Sequence, residues 1–177
     1  LSEYSNPRQG GIIGINLRDN DRMVDVRLTD GKKEIIIATK DGRAVRFNEA
    51  DVSVVGRNSI GVRGINARAS EVVGMEIVNA PYLLTVTDKG FGKRSEIGDY
   101  RLISRGGSGV TNIKITEKNG NVVGIKVADE NDEIMAFHLT MAIFCVLWTP
   151  GASMRRRYIP LATTAPLMLR PSQSIVP

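Results

Sequence analysis

The chain has 177 residues, with 24 Lys plus Arg against 19 Asp plus Glu, a net charge of +5, and 42% hydrophobic and 24% charged side chains. These proportions belong to a soluble globular protein of one ordinary domain or a few small repeats, and exclude a disordered or collagen-like chain. One Cys excludes a disulfide framework and a multi-cysteine zinc site, and one His leaves at most a single Ser-His-Asp or Cys-His arrangement.

Leu1 stands where a start Met is expected, and no basic, apolar leader follows it, which reads as a fragment or processed piece. Glu34-Ile35-Ile36-Ile37-Ala38-Thr39 is a β-branched run closed by the turn Lys40-Asp41-Gly42-Arg43, a strand and hairpin signal. The same signal returns as Tyr82-Leu83-Leu84-Thr85-Val86-Thr87 closed by Asp88-Lys89-Gly90. Gly42 to Gly90 and Arg46 to Arg94 are each 48 residues apart, as are Arg57-Asn58-Ser59-Ile60-Gly61-Val62 and Arg105-Gly106-Gly107-Ser108-Gly109-Val110. Tyr4 and Tyr100 are two such periods apart, and Val72-Val73-Gly74 returns 50 residues later as Val122-Val123-Gly124. No stretch has a sustained helical period with caps. The pattern predicts an all-β chain of four-stranded blades of about 50 residues stacked radially. Residues 1–135 then hold the end of one blade (1 to about 15), two whole blades and the start of another near 117, an incomplete ring.

The motifs Gly10-Gly11-Ile12-Ile13-Gly14-Ile15, Val26-Arg27-Leu28-Thr29-Asp30-Gly31, Ala38-Thr39-Lys40-Asp41-Gly42, Gly61-Val62-Arg63-Gly64-Ile65 and Arg105 to Lys114 resemble the C-terminal domain of the DNA gyrase A subunit, over essentially all of residues 1–135. That resemblance implies a β-pinwheel whose blades exchange strands and whose basic rim binds and bends duplex DNA in a cytoplasmic type IIA topoisomerase, supporting negative supercoiling. It also implies, as partners, an ATPase B subunit with the remaining domains of the A subunit. ATP and Mg are used by the complete enzyme, with no cofactor on this chain. The glutamine-arginine-rich box near the start of the gyrase domain is absent, and Arg105-Gly106-Gly107-Ser108-Gly109 echoes it in part, so the related topoisomerase IV subunit stays open as an alternative.

DNA wrapping needs cations spaced along a surface to meet phosphates. Arg46 recurs as Arg94 and Arg57 as Arg105, while Arg63, Lys93 and Lys114 lie beside them, and these seven are the candidate DNA contacts. A single Arg at a hairpin end is more often a solvated turn residue, and recurrence at the repeat period is what raises the set above that reading. The glycines at 106, 107 and 109 suit either phosphate approach by backbone amides or plain turns. With no His or Cys before residue 136, the body lacks the usual general base and activated nucleophile, and no P-loop pattern is present. Catalytic and metal-binding residues are therefore not expected. Tyr4 and Tyr100 read as packing residues. A propeller-type protein interaction scaffold is the alternative from a different functional class.

Residues 136–177 break the pattern. They hold the only His (His138), Cys (Cys145) and Trp (Trp148), five of seven prolines and no acid, and their four arginines carry +4. The first 135 residues are therefore at +1, with 20 basic and 19 acidic side chains. The longest apolar run, Ala136 to Trp148, spans 13 residues, short of the roughly 20 that a membrane helix needs. Read two nucleotides later, the Met141-Ala142 codons force a Gly in the register of Gly42, which points to a lost reading frame and a tail outside the native fold.

Overall fold

The computed structural model describes residues 4–6, 9–139 and 142–148. Strand β1 (Glu34–Thr39) turns into β2 (Arg43–Asn48), and β3 (Val72–Ile77) returns to pair with β1; β4 (Tyr82–Thr87), β5 (Gly92–Glu96) and β7 (Val122–Ala128) repeat this arrangement. A two-residue strand, β6 (Val110–Thr111), crosses over to the outer edge of β2, so the first sheet has the order β3-β1-β2-β6 and the second β5-β4-β7. All pairings within these sheets are antiparallel.

The repeat extends to backbone detail. The turn glycines Gly42 and Gly90 have φ of 81° and 76°, the left-handed region that glycine enters without a Cβ clash, and each donates its N–H to the Thr C=O three residues earlier at 3.0 Å. At Gly42 a Cβ would lie 2.1 Å from the Ile113 carbonyl oxygen. The 3-10 turns Glu49–Asp51 and Ile97–Asp99 are 48 residues apart, and so are the register shifts at Ala38/Thr39 and Val86/Thr87.

Alternation along the strands gives each sheet two faces. The back of the first sheet, Ile36, Ala38 and Ala44, is buried against the front of the second, Leu83, Ile125 and Val127, with Ile97, Tyr100 and Val122 completing this inter-sheet core. Gly74 lets the sheets close, since a Cβ there would meet Ile125 Cγ1 at 3.1 Å. A smaller cluster, Val45, Phe47 and Ile65 with Ile35, Ile37 and Val52, lies on the front of the first sheet.

Met23–Leu28 holds the position that β3 and β7 hold in the following repeats, yet it forms no ladder, and Val26 and Leu28 are 72% and 76% exposed. The hairpin that would flank it is not among the described residues. Tyr4, expected as a packing residue like Tyr100, is likewise exposed, whereas Tyr100 is in the core. The strand β8 (Glu133–Leu139) runs across the point where the repeat pattern breaks and pairs with β9 (Ala142–Trp148) as a hairpin. The rest of the suspected out-of-frame segment lies outside the described residues.

Candidate nucleic-acid interface

The seven candidate cations divide by what holds them. Arg46, on the back of β2, is directed inward: Nε and Nη2 donate to Glu34 Oε2, and Nη1 donates to the carbonyls of Ile97 at 3.0 Å and Tyr100 at 3.1 Å. Its side chain is 19% exposed. It ties the first sheet to the 3-10 turn of the second, with its donors directed to protein acceptors. Arg94, its counterpart, is exposed, and its guanidinium lies 4.5 Å from the centre of the Tyr82 ring. Tyr82 in turn occupies the position of Glu34 and donates its hydroxyl to Glu130 Oε1 at 2.8 Å. That bond to a carboxylate raises the phenol above its ordinary pKa of 10.0, with desolvation adding to it.

Arg105 and Arg57 fasten the long loops. Arg105 donates from Nε to the Asp51 carbonyl at 2.9 Å and from Nη1 to the Arg63 carbonyl at 3.3 Å. Arg57 makes the corresponding reach one repeat earlier, Nη1 to the Ile13 carbonyl at 3.3 Å, with the Tyr4 ring 5.9 Å from its guanidinium carbon. Both are half-buried. Their period-locked recurrence therefore has a structural cause, a bond to the main chain of the preceding repeat.

Arg63, Lys93 and Lys114 are exposed, and none of them is in an ion pair among the described residues. Arg63 lies beside Gly106, and Lys93 Nζ donates to the Asn112 carbonyl at 2.9 Å, two residues from Lys114. Two of the loop glycines bond within the fold: Gly106 N–H donates to the Gly64 carbonyl at 2.6 Å and the Gly107 carbonyl accepts from Asn66 N–H at 2.9 Å. Arg43, which sequence reasoning passed over, donates to the Ser108 and Gly109 carbonyls at 2.7 and 2.8 Å and clamps the same loop onto β2.

Sequence reasoning also missed a charge ladder. Arg27 Nη2 and Lys126 Nζ both lie 3.0 Å from Glu76 Oε1. The three residues hold one position in successive repeats, 49 and 50 residues apart. Aligning Met23–Leu28 with β3 and β7 would have exposed the alternation of sign. Among the described residues no group of three or more His, Cys, Asp or Glu is placed to hold a metal ion, and no helix is long and apolar enough to cross a membrane.

A family model described as the DNA gyrase C-terminal domain, beta-propeller, matches residues 1–30, 33–79 and 81–129. The DNA gyrase A subunit of Staphylococcus aureus (strains MRSA252 and NCTC 8325) is 40% identical to this chain over 139 residues, which are 76% of the chain and 16% of the relative. Among solved structures, the C-terminal domain of DNA topoisomerase IV is similar at a TM-score of 0.73 with 28% identity, covering 81% of this chain and 46% of that one. The DNA gyrase A C-terminal domain is similar at 0.69 with 29% identity, covering 78% and 48%. The chain thus spans about a sixth of the curated relatives it matches.

Proposed function

The chain belongs to the DNA gyrase C-terminal domain family of β-propellers, and from that membership we propose that it is a non-catalytic, cytoplasmic module of a type IIA topoisomerase that binds duplex DNA and bends it around a basic rim. The observation that carries the reading is the exposed set Arg63, Lys93 and Lys114, whose charges have no acidic partners among the described residues, while Glu34 and Glu76 are occupied by Arg46, Arg27 and Lys126. Cations on an open surface displace condensed counterions from DNA and supply affinity without sequence preference. Arg57 and Arg105 act mainly by presenting the loops that carry this surface. Strand cleavage belongs to other domains of the A subunit, and ATP hydrolysis, with its Mg, to the B subunit. The 40% identity favours the gyrase A subunit over that of topoisomerase IV, and the wrapping then serves negative supercoiling.

Titration with duplex DNA at rising salt tests this. Affinity should fall on a log-log plot by roughly 0.9 per neutralised phosphate, and Arg63→Gln, Lys93→Gln and Lys114→Gln together should flatten that slope by about 2 to 3. Thermal stability should change by less than about 1 kcal/mol, the printed bond lost being that from Lys93 Nζ to the Asn112 carbonyl. Arg46→Gln should do the opposite, lowering stability by about 2 kcal/mol through the carbonyls and carboxylate it abandons and leaving the slope as it was. Affinity indifferent to salt, or a triple variant that binds like the parent, would sink the proposal.

A further inference from the structure

One turn of the first repeat is built against backbone preference. Ser70 N–H donates to the Ala67 carbonyl at 2.8 Å and closes a tight turn whose first central residue, Arg68, has φ of 56°. A side chain in this left-handed region crowds its own backbone, and glycine is the residue that enters it freely. The corresponding turn of the second repeat, 50 residues on, keeps to that rule: its left-handed residue is Gly120, at φ 72°, and Lys118, the counterpart of Arg68, is not left-handed. Asn66 Oδ1 accepts from Arg68 N–H at 3.3 Å, a bond to the main chain that would serve glycine equally.

The fold makes no use of the Arg68 side chain. It is exposed, and among the described residues it enters no ion pair, side-chain hydrogen bond or ring contact. Ala67 and Ala69 flank it, so it stands alone at the tip of the turn, over a depression of about 440 Å³ that Lys40, Asp41, Ser70 and Glu71 also line. The two acids there are engaged: Glu71 lies 3.5 Å from Lys40 Nζ and 4.0 Å from Arg22 Nη2, and Asp41 Oδ1 accepts from the Thr39 hydroxyl. Described residues of both neighbouring repeats, Arg22 and Asn121, border the turn, and the arginine is exposed between them. The turn leaves directly from the basic loops, since Asn66 N–H donates to the Gly107 carbonyl at 2.9 Å and Arg63 stands five residues before Arg68.

We propose that Arg68 is a minor-groove arginine: on the bent duplex of the proposed function, on which this inference rests, its guanidinium enters the minor groove where that groove faces the protein. Bending a duplex around a protein turns the minor groove inward about every 10 bp, and a narrowed groove over A·T pairs has an enhanced negative potential that attracts arginine. Adenine N3 and thymine O2 are the acceptors on its floor, and a planar guanidinium brings N–H donors to meet them. A groove about 6 Å wide admits this group only from a narrow tip, which the methyl side chains of Ala67 and Ala69 provide. The left-handed backbone is what projects a long cation from the apex of so tight a turn. Arg63, Lys93 and Lys114 then supply affinity without regard to sequence, and Arg68 adds a preference for A·T pairs at the inward-facing positions.

Competition binding by the full chain between two duplexes of equal length tests it. One carries A·T tracts repeated about every 10 bp; in the other, diaminopurine replaces the adenines of those tracts, adding an amino group in the minor groove and leaving the phosphates unchanged. The parent should prefer the first by about fivefold, the lower end of what one specific groove contact supplies. Arg68→Gly should lose most of this preference, and so should Arg68→Lys, whose compact ammonium is strongly hydrated while its charge keeps the parent's salt slope. Arg68→Gly should unfold at a denaturant concentration no lower than the parent's, because glycine relieves the turn. Arg63→Gln, Lys93→Gln and Lys114→Gln together should flatten the salt slope and keep the preference, so the two readings fail separately. A parent that binds neither duplex overturns both. Salt-dependent binding without a preference, a preference that survives Arg68→Gly, or an Arg68→Gly chain less stable than the parent overturns this inference alone.

Discussion

The fronts of the two sheets occupy one place in successive repeats and are built from opposite chemistry. In the first, Ile37, Phe47 and Val52 surround Gly64, whose missing Cβ would fall 2.7 Å from Ile37 Cδ1. In the second, the same four positions are Thr85, Ser95, Tyr100 and Asn112. The Tyr100 hydroxyl donates to Asn112 Oδ1 at 2.6 Å and Asn112 Nδ2 donates to Thr85 Oγ1 at 2.8 Å, all buried. An apolar quartet tolerates a face with partial cover. Three of the polar four are satisfied by one another, which needs fixed partners and excluded water, while Ser95 Oγ is buried without a hydrogen-bond partner among the described residues. The repeat therefore conserves geometry while its chemistry follows the neighbour each face meets.

The comparison breaks most sharply at the exchanged strand. Gly109→Ala drives a Cβ into the Ala44 carbonyl and also strains a left-handed residue, and should cost about 3 kcal/mol or more. Gly61→Ala carries the backbone strain alone and should cost about 1 kcal/mol. Denaturant unfolding of both variants measures the difference, and equal costs would mean that β6 is not docked as described. The polar quartet comes next. Asn112→Ala strands the Tyr100 hydroxyl and Thr85 Oγ1 in a closed interior, at about 2 to 3 kcal/mol. Thr85→Val, Tyr100→Phe and Asn112→Leu together remove the three bonded members, and should stay within about 1 kcal/mol of the parent, since replacing all three by apolar groups strands no further polar atom. A triple variant less stable than Asn112→Ala would show that the network contributes beyond its own satisfaction.

The hairpins were legible because their signals are local. β-branched runs from Glu34 and Tyr82, closed by turns at Gly42 and Gly90, need no knowledge of what packs on them. What sequence could not separate was recurrence for binding from recurrence for folding. Arg57 and Arg105 recur because carbonyls of the preceding repeat recur, and a period-locked charge looks the same in either case until its donors are traced. Val110–Thr111 is too short to carry a strand pattern, and its place is set by Arg43 and the Gly109 approach, both long-range. Met23–Leu28 reads like its counterparts β3 and β7 yet forms no ladder, because strand formation needs a second strand and not only an alternating sequence. The strands β8 and β9 pair across a connection that lacks the repeat's turn glycine.

The smallest expected effect tests whether the second front is closed to water. Burial raises the Tyr100 phenol above its ordinary pKa of 10.0, because ionisation would place a charge in the inter-sheet core. The folded state therefore retains this proton to a higher pH than the unfolded chain does. The resulting stabilisation is fully present below pH 10 and is lost as pH rises through the raised folded value. Tyr100→Phe removes that titration, so its stability should fall less steeply than the parent's in alkaline melts. Tyr82, also shifted upward but only half-buried, beside Glu130, is screened by solvent, and Tyr82→Phe should leave the alkaline slope close to that of the parent. If instead Tyr82→Phe flattened the slope and Tyr100→Phe did not, water would already reach the polar quartet, and the contrast between the two fronts would reduce to composition without a difference in closure.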